Sequence, residues 1–270
     1  MTKEQFDLLV ASYSKKGIPT PSWSMIKSKE QIAGIREAGI VNSKVLDYVA
    51  ENIKAGMTTN QINDLVVFKT KELGGICAPL GYEGFPKSVC TSINDQVCHG
   101  IPDNTVLVDG DIVNVDCTTI YNGYYADSSR MFIIGNADEE AKRLVKVTKE
   151  CLDLAFKNLK PFSRIGDIGY YIEKHAKENG FSVVREIGGH GVGIDFHEDP
   201  FIFHYGKQNT GMVLFPGMVF TIEPMINYGK RHVFLDASNN WTIYTDDGSL
   251  SSQFEYTVVI TEDSVEILAS

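Results

Sequence analysis

The sequence lacks the cysteine pattern of a disulfide framework or of a zinc ribbon. It contains five cysteines, an odd number, and none of them stands in a CxxC pair. In a chain of 270 residues this usage is typical of reduced thiols in a cytosol. We therefore expect a cytoplasmic protein without structural disulfides.

Long apolar runs and positive charge are also scarce. No stretch approaches the roughly 18 apolar residues of a membrane-spanning helix, and the run from Phe6 to Val10 is too short for a signal peptide. The 25 Lys and Arg residues stand against 35 Asp and Glu residues, which gives a net charge of −10. Because an acidic protein without a basic patch repels phosphate backbones and anionic lipids, we expect no nucleic-acid partner and no membrane partner.

The remaining composition is that of a globular protein with a mixed α/β fold. Hydrophobic residues make up 43% of the chain, which is enough for a sizeable core. Gly17, Pro19 and Pro21 separate an N-terminal extension of one helix, residues 1–25, from a main domain, residues 26–270. Four further helices are predicted over residues 28–54, 59–73, 138–160 and 167–179. Strands are predicted over residues 86–93, 105–108, 112–121, 124–134, 183–187, 217–223 and 254–260.

A weak internal repeat relates the two parts of the main domain. The segments that join helices at Gly56 and at Pro161 are 105 residues apart, and residues 110–116 match residues 217–223 at an offset of 107. Each matched strand ends in an acid, Asp116 or Glu223. Chance similarity between two α/β segments is the alternative, but the shared acid favours a duplicated fold with a site between its halves.

A β-hairpin is predicted around Asn122 and Gly123, because Asn-Gly between β-branched and aromatic residues is a strong two-residue turn signal. In this register paired positions sum to 245, so Asp116 faces Ser129 and lies diagonally across from Asp127. The two carboxylates could chelate one cation. A solvated hairpin face is the alternative, but Asp116 follows an apolar stretch, where an unpaired acid is costly to bury.

Three more candidate ligands come from the second half of the chain. His190 lies in a glycine-rich segment that has neither GxGxxG spacing nor a P-loop lysine. Glu223 ends a predicted strand and Glu255 interrupts another. Together with Asp116 and Asp127 they form a set of four carboxylates and one imidazole, which suits two ions of Mn²⁺, Fe²⁺, Co²⁺ or Zn²⁺. Two such ions acidify a water for attack on a carbonyl or phosphoryl group. We interpret His175, His204 and His232 as packing or surface residues.

From about residue 26 to the C-terminus the chain resembles the type I methionine aminopeptidases. The resemblance rests on the hairpin with two aspartates and on five segments: GYEGFPKSVC (81–90), VCHGIP (97–102), GHGVG (189–193) with His197, FTIEPM (220–225) and SSQFE (251–255). It implies the pita-bread fold, in which two related α/β halves surround an antiparallel sheet. That fold would account for the internal repeat.

The resemblance also implies a role for each matching residue. Asp116 would bind the first metal ion, Asp127 and Glu255 would bridge the two ions, and His190 and Glu223 would complete the second. Glu223 would also carry the proton of the attacking water. The substrate would contact His99 and His197, the latter at the scissile carbonyl. The pocket for the methionine side chain would consist of Tyr82, Phe85, Cys90, Phe196 and Trp241.

Further expectations concern cofactors and partners. The resemblance implies a monovalent cation, Na⁺ or K⁺, on backbone near Asn94, Gln96 and Ser251. It implies nascent polypeptide N-termini as substrates and a monomer, and it leaves transient association with the ribosome open. Three positions depart from the family pattern. The family often has His where this chain has Glu83, a basic residue where it has Gly248, and His where it has Tyr256. Substrate contacts near these positions are therefore in doubt.

The hypothesis from the sequence is a metal-dependent exopeptidase that removes the initiator methionine when the second residue is small. Two alternatives remain open. The first is an aminopeptidase whose pocket does not require methionine. The second is a pita-bread protein that binds its partner without catalysis, although all five ligands and both substrate histidines are present in this sequence.

Overall fold

The computed structural model describes residues 1–270, which form five α-helices and fifteen short or medium β-strands. The helices are α1 Lys3–Ser14, α2 Lys29–Asn52, α3 Thr59–Glu72, α4 Glu139–Asn158 and α5 Ile165–Glu178. The strands are β1 Ile76–Cys77, β2 Cys90–Ile93, β3 Gln96–Cys98, β4 Ile112–Tyr121, β5 Tyr124–Ile133, β6 Ser182–Val183, β7 Gly189–Gly191, β8 Glu198–Ile202, β9 Val219–Ile222, β10 Met225–Asn227, β11 Val233–Leu235, β12 Ile243–Thr245, β13 Ser251–Gln253, β14 Tyr256–Ile260 and β15 Val265–Ala269. None of the helices is long and apolar enough to cross a membrane.

Helix positions follow from their capping residues. The Ser28 side chain accepts a hydrogen bond from the Gln31 backbone N–H, and the Gln31 side chain accepts one from the Ser28 N–H, so a capping box begins α2. The Asp138 side chain caps α4 in the simpler way, through the Ala141 N–H. All four helices predicted in the main domain are confirmed within two residues at each end.

The predicted hairpin is confirmed in its register. Strands β4 and β5 pair as expected, with Tyr121 opposite Tyr124 and Asp116 opposite Ser129. Asn122 and Gly123 both have positive φ, of 50° and 83°, as the tight turn requires. On its other side β4 pairs with β1 and β2, which completes a four-stranded sheet in the first half.

The strand predictions for the second half are less complete. A five-stranded antiparallel sheet has the order β15-β14-β9-β7-β8, and only β9 and β14 were expected from sequence. Strands β7 and β8 were not predicted, because glycines and Pro200 interrupt their apolar pattern. The strand expected at 105–108 was wrong, since Val106 makes only an isolated bridge to Thr58.

The internal repeat is visible in the backbone. In the first half Thr58 bridges Val106, and in the second half Arg164 bridges Val213 at the corresponding place. Helices α2 and α3 precede the hairpin strands of the first half, and α4 and α5 precede the sheet of the second. Two α/β halves around antiparallel sheets are the arrangement that the resemblance implied, so the fold prediction is confirmed.

The N-terminal extension lies against the second half. The ring of Phe6 in α1 is 4% exposed and packs edge-on against Trp23 and Phe215, with centroid distances of 5.1 and 5.7 Å. Tyr13 also packs on Phe215. Burial of these aromatic rings attaches the helix to the main domain.

Candidate metal centre and substrate cavity

A cavity of about 690 Å³ opens between the two halves. All twelve site residues predicted from sequence line it: Tyr82, Phe85, Cys90, His99, Asp116, Asp127, His190, Phe196, His197, Glu223, Trp241 and Glu255. The structure therefore brings together residues that are up to 173 positions apart in the sequence, from Tyr82 to Glu255. No lysine and no arginine lines the cavity.

The first half contributes two carboxylates on the paired strands β4 and β5. Asp116 is opposite Ser129 and Asp127 is opposite Thr118, so both side chains are directed to the same face of the hairpin. The Thr118 hydroxyl donates a hydrogen bond of 2.9 Å to Asp127 Oδ1. Thr257 of the other half accepts from the Asp127 backbone N–H at 3.1 Å, which fixes the backbone at this point.

The second half contributes one imidazole and two carboxylates. His190 lies on β7, and its Nε2 is 3.9 Å from Asp127 Oδ2 and 3.7 Å from Glu223 Oε1. Glu223 follows β9 and Glu255 precedes β14, where Ile222 is paired with Tyr256. One ligand atom from each of Asp127, His190 and Glu255 lies within 4.8 Å of the other two.

Burial controls the protonation of these five groups. It raises the pKa of Asp116 to about 7 and that of Glu223 to about 8. Burial, followed by repulsion from the neighbouring carboxylates, raises the pKa of Asp127 and of Glu255 well above the usual range. Burial also lowers the pKa of His190 to about 3, so its ring is neutral and its nitrogen can act as a ligand.

The donor set fits divalent cations. Its four carboxylates line one cavity, and no Lys or Arg forms an ion pair with any of them, so only a bound cation would balance their charge when they ionise. Glu255 Oε1 is buried and has no hydrogen-bond partner. A buried carboxylate oxygen without a hydrogen-bond partner is costly, and a bound cation would supply the missing partner. The position of this oxygen beside two other potential ligand atoms therefore fits a metal site.

His197 lies on a segment that a buried ion pair holds in place. Lys27 pairs with Glu198, and the other oxygen of Glu198 accepts from the Ile194 and Asp195 backbone N–H groups at 2.8 and 3.1 Å. The His197 Nδ1 is hydrogen-bonded to the Tyr82 hydroxyl at 2.8 Å. Its ring centre is 4.2 Å from that of His190, so His197 stands next to the metal-ligand cluster.

Aromatic rings line a further part of the cavity. Phe85 and Trp241 meet edge-to-face with centroids 5.1 Å apart, and Tyr82 packs on Phe196 at 4.6 Å. His99 lies beside Trp241 at 6.3 Å and has a positive φ of 56°. Burial lowers the pKa of His99 to about 4, which keeps its ring neutral.

Several residues that hold the ligands were not predicted from the sequence. The Thr221 hydroxyl accepts from the His190 N–H at 2.9 Å and donates to Glu223 Oε1 at 2.7 Å. Gln253 Nε2 donates to Glu223 Oε2 at 3.2 Å. His204, which we had interpreted as a packing or surface residue, accepts from the Glu223 backbone N–H at 3.1 Å. Thr221 and Gln253 lie in the motifs that contain Glu223 and Glu255, so the sequence could have indicated that they contact these residues. His204 lies in no such motif, and its sequence position gives no indication of its contact.

Comparison with known proteins places the chain in a family context. Residues 33–262 match the model of metallopeptidase family M24. The chain is 52% identical over 243 residues to methionine aminopeptidase A of Synechocystis, which covers 89% of this chain and 95% of the relative. It is 46% identical over 248 residues to the methionine aminopeptidase of Escherichia coli, covering 90% and 92%.

Solved structures agree with the sequence comparison. The crystal structure of methionine aminopeptidase from Rickettsia prowazekii superposes with a TM-score of 0.89 at 43% identity, covering 91% of this chain and 99% of the other. The Thermotoga maritima methionine aminopeptidase gives a TM-score of 0.88 at 40% identity, covering 91% and 98%. Prolidase from Pyrococcus furiosus shares the fold more distantly, with a TM-score of 0.69 at 26% identity over 91% of this chain and 65% of the other.

Proposed function

The chain belongs to metallopeptidase family M24, and we propose that its site hydrolyses the peptide bond that follows an N-terminal methionine. The observation that carries this proposal is the convergence of Asp127, His190 and Glu255, whose ligand atoms lie within 4.8 Å of one another, beside an aromatic pocket in one cavity. The chain is thus an enzyme, a methionine aminopeptidase by activity. Release is expected to require a small second residue.

Five residues hold the metal ions in this proposal. Asp116 would help to hold one ion, His190 and Glu223 would help to hold the second, and Asp127 and Glu255 would contribute to both. Bound ions lower the pKa of a water and polarise the substrate carbonyl. The donor set accepts Mn²⁺, Fe²⁺, Co²⁺ or Zn²⁺, so supply rather than ligand type determines occupancy.

Glu223 is the proton carrier of the reaction. Its two carboxylate oxygens are held by Thr221 and Gln253, at 2.7 and 3.2 Å, and it lines the cavity beside His190. A carboxylate in a fixed position can take the proton of an attacking water and return it to the departing amine. The two hydrogen bonds that fix the carboxylate of Glu223 therefore support its role as the proton carrier.

Two histidines contact the substrate. If the Tyr82 hydroxyl donates to His197 Nδ1, the ring proton of His197 is on Nε2. That N–H can then donate to the scissile carbonyl oxygen and stabilise the negative charge that develops on it. His99 lies beside Trp241 and contacts the bound peptide.

The pocket for the methionine side chain is formed by Tyr82, Phe85, Cys90, Phe196 and Trp241. All five residues line the cavity, and their rings pack in two pairs, Tyr82 with Phe196 and Phe85 with Trp241. A flexible thioether packs favourably against aromatic edges and sulfur. Charged side chains would lose their hydration in this pocket without gaining a partner.

A monovalent cation, Na⁺ or K⁺, is proposed on the backbone near Asn94, Gln96 and Ser251. The Ser251 N–H donates to the Asn94 carbonyl oxygen at 2.8 Å, so these two segments are in contact. The hairpin strand β4 begins close by, since the Asn94 amide oxygen accepts from the Ile112 N–H. A cation here would stabilise the strand that carries Asp116.

We propose that the substrates are the N-termini of nascent polypeptides. In this proposal the protein is a cytoplasmic monomer that associates transiently with the ribosome. The five cysteines are all free thiols, which agrees with a reducing compartment. The cavity opens to solvent at His197 and Glu83, so an extended chain can enter with its N-terminus first.

The test is methionine release from two peptides by protein reconstituted with Mn²⁺ or Co²⁺. Met-Ala-Ser should release methionine, Met-Lys-Ser should not, and Glu223→Ala should abolish the release while the exposed control Glu262→Ala retains it. Equal release of leucine from Leu-Ala-Ser would favour the broader aminopeptidase. Absence of release with bound peptide would favour the non-catalytic binding protein.

A further inference from the structure

His204 is buried next to the metal-ligand cluster without being a ligand. It lies two residues beyond β8, is 1% exposed, and accepts a hydrogen bond of 3.1 Å at Nε2 from the Glu223 backbone N–H. Its other ring nitrogen, Nδ1, is buried and has no partner. A packing role alone would not favour an imidazole here, because an apolar side chain would fill the space without an unpartnered nitrogen.

The contact defines the state of the ring. Because a backbone N–H can only donate, Nε2 must carry the lone pair, and the ring proton is on Nδ1. The ring is therefore neutral in this arrangement. His204 acts as an acceptor for Glu223 and not as an acid or a base.

The Glu223 N–H needs such an acceptor because no sheet provides one. Strand β9 ends at Ile222 and β10 begins at Met225, so Glu223 lies between two strands that belong to different sheets. Pro224 follows and has no N–H of its own. His204 links the segment after β8 to this junction, although β7 lies between β8 and β9 in the sheet.

The side chain and the backbone of Glu223 are thus held by different groups. Thr221 and Gln253 each contact one carboxylate oxygen, and His204 contacts the amide of the same residue. These three contacts restrain both the peptide plane and the carboxylate of Glu223. Loss of the backbone contact would leave the carboxylate attached to a peptide unit that can rotate.

We propose that His204 is a positioning residue that fixes the backbone of Glu223 through its neutral Nε2 and thereby directs the carboxylate toward the reacting water. This inference rests on the proposed function, because Glu223 is the proton carrier only in that reaction. It adds a residue that acts through Glu223 and touches neither metal ion nor substrate.

The test compares His204→Gln, His204→Asn and His204→Leu. A glutamine oxygen reaches as far as Nε2, an asparagine oxygen reaches only as far as Nδ1, and leucine has no acceptor. His175→Gln, on α5 and hydrogen-bonded to Glu150 away from the cavity, is the matched control. The kcat and KM for Met-Ala-Ser are measured at saturating metal, together with hydrogen exchange of the Glu223 amide in metal-free, ¹⁵N-labelled protein.

The proposal expects kcat to fall about 10- to 100-fold in the Leu and Asn variants, with KM changed less than about threefold, and to recover in the Gln variant. Exchange of the Glu223 amide should accelerate at least about tenfold in Leu and Asn alone. Should the Leu variant fail to fold, the Gln and Asn pair carries the comparison. Wild-type kcat in both Leu and Asn, equal losses in Gln and Asn, or unchanged exchange in the variants would each overturn the proposal. A wild-type protein that releases no methionine would instead contradict the proposed function, and the exchange result would still report on the His204 contact.

Discussion

The two halves of the molecule deliver carboxylates to one cavity by different means. In the first half Asp116 and Asp127 lie on adjacent strands of one hairpin, and the Asn122-Gly123 turn sets their register. In the second half Glu223 and Glu255 lie at the ends of β9 and β14, which pair although four short strands, β10 to β13, lie between them in the sequence. Local chain geometry thus positions one pair of carboxylates, and long-range contacts position the other.

Hydrogen bonds between the two halves compensate for this difference. Asn114 Nδ2 of the first half donates to the Gln253 carbonyl oxygen at 2.8 Å, and the Glu255 N–H donates to the Ser129 carbonyl oxygen at 3.1 Å. The second half therefore takes its register partly from the hairpin. We expect the second half to depend more than the first on the side chains that surround its ligands.

The largest effect is expected from a matched pair at equivalent positions of the repeat. Glu223→Gln should lower kcat by about 10²–10⁴-fold, because it removes the proton carrier. Asp116→Asn removes a ligand only, so added metal should restore part of its activity. Methionine release measured over a range of Mn²⁺ concentrations separates the two. Retention of more than a tenth of kcat by Glu223→Gln would contradict its role.

A second pair compares the hydroxyl groups that hold ligands in each half. Thr221 contacts both His190 and Glu223, whereas Thr118 contacts Asp127 alone. Thr221→Val should therefore lower metal affinity or activity by about 10- to 100-fold, and Thr118→Val by less. Isothermal titration with Mn²⁺ and the peptide assay measure both effects. The comparison between the halves fails if Thr118→Val has the larger effect.

Metal removal should destabilise the folded protein in a pH-dependent way. Burial raises the pKa of Asp116 to about 7 and of Glu223 to about 8, so the folded state retains protons that the unfolded state has released. Below about pH 6.5 the buried histidines, whose pKa burial lowers, oppose this trend, so the stability of the metal-free protein should fall as pH rises from about 6.5 to about 8. Thermal unfolding in EDTA at several pH values measures this trend, and a rise in Tm over that range would contradict it.

The smallest effect is expected at the hairpin turn. Gly123→Ala introduces a side chain at φ 83° and should cost about 1–2 kcal/mol in the free energy of unfolding. Gly248→Ala, at φ 69° on an open turn in the second half, is a control with the same backbone requirement. Urea unfolding gives both values. No loss of stability in Gly123→Ala would contradict the expected cost of a side chain at this φ.

The contrast between the halves also explains how much the sequence could predict. The hairpin register and the helices of the main domain depend on nearby residues, and both were predicted from pattern. In the second half the residue pattern marked His190, Glu223 and Glu255 as candidate ligands, and the motif resemblance gave each of them a role. Confirmation that these residues converge required the three-dimensional structure.

What the sequence could not provide depends on contacts between distant segments. Strands β7 and β8 contain glycines and a proline, and their pairing depends on neighbours in the sheet rather than on their own propensity. The contact between His204 and the Glu223 amide joins the ends of two strands that are not adjacent. No local pattern distinguishes such a histidine from one that only fills space.

The central claim is that both halves bind the same pair of metal ions. Anomalous diffraction from a crystal soaked in Mn²⁺ tests it most directly. The account predicts two peaks in the cavity, both in contact with Asp127 and Glu255, with Asp116 at one and His190 and Glu223 at the other. A protein that releases methionine from Met-Ala-Ser while its crystals show no peak at these residues would contradict the account.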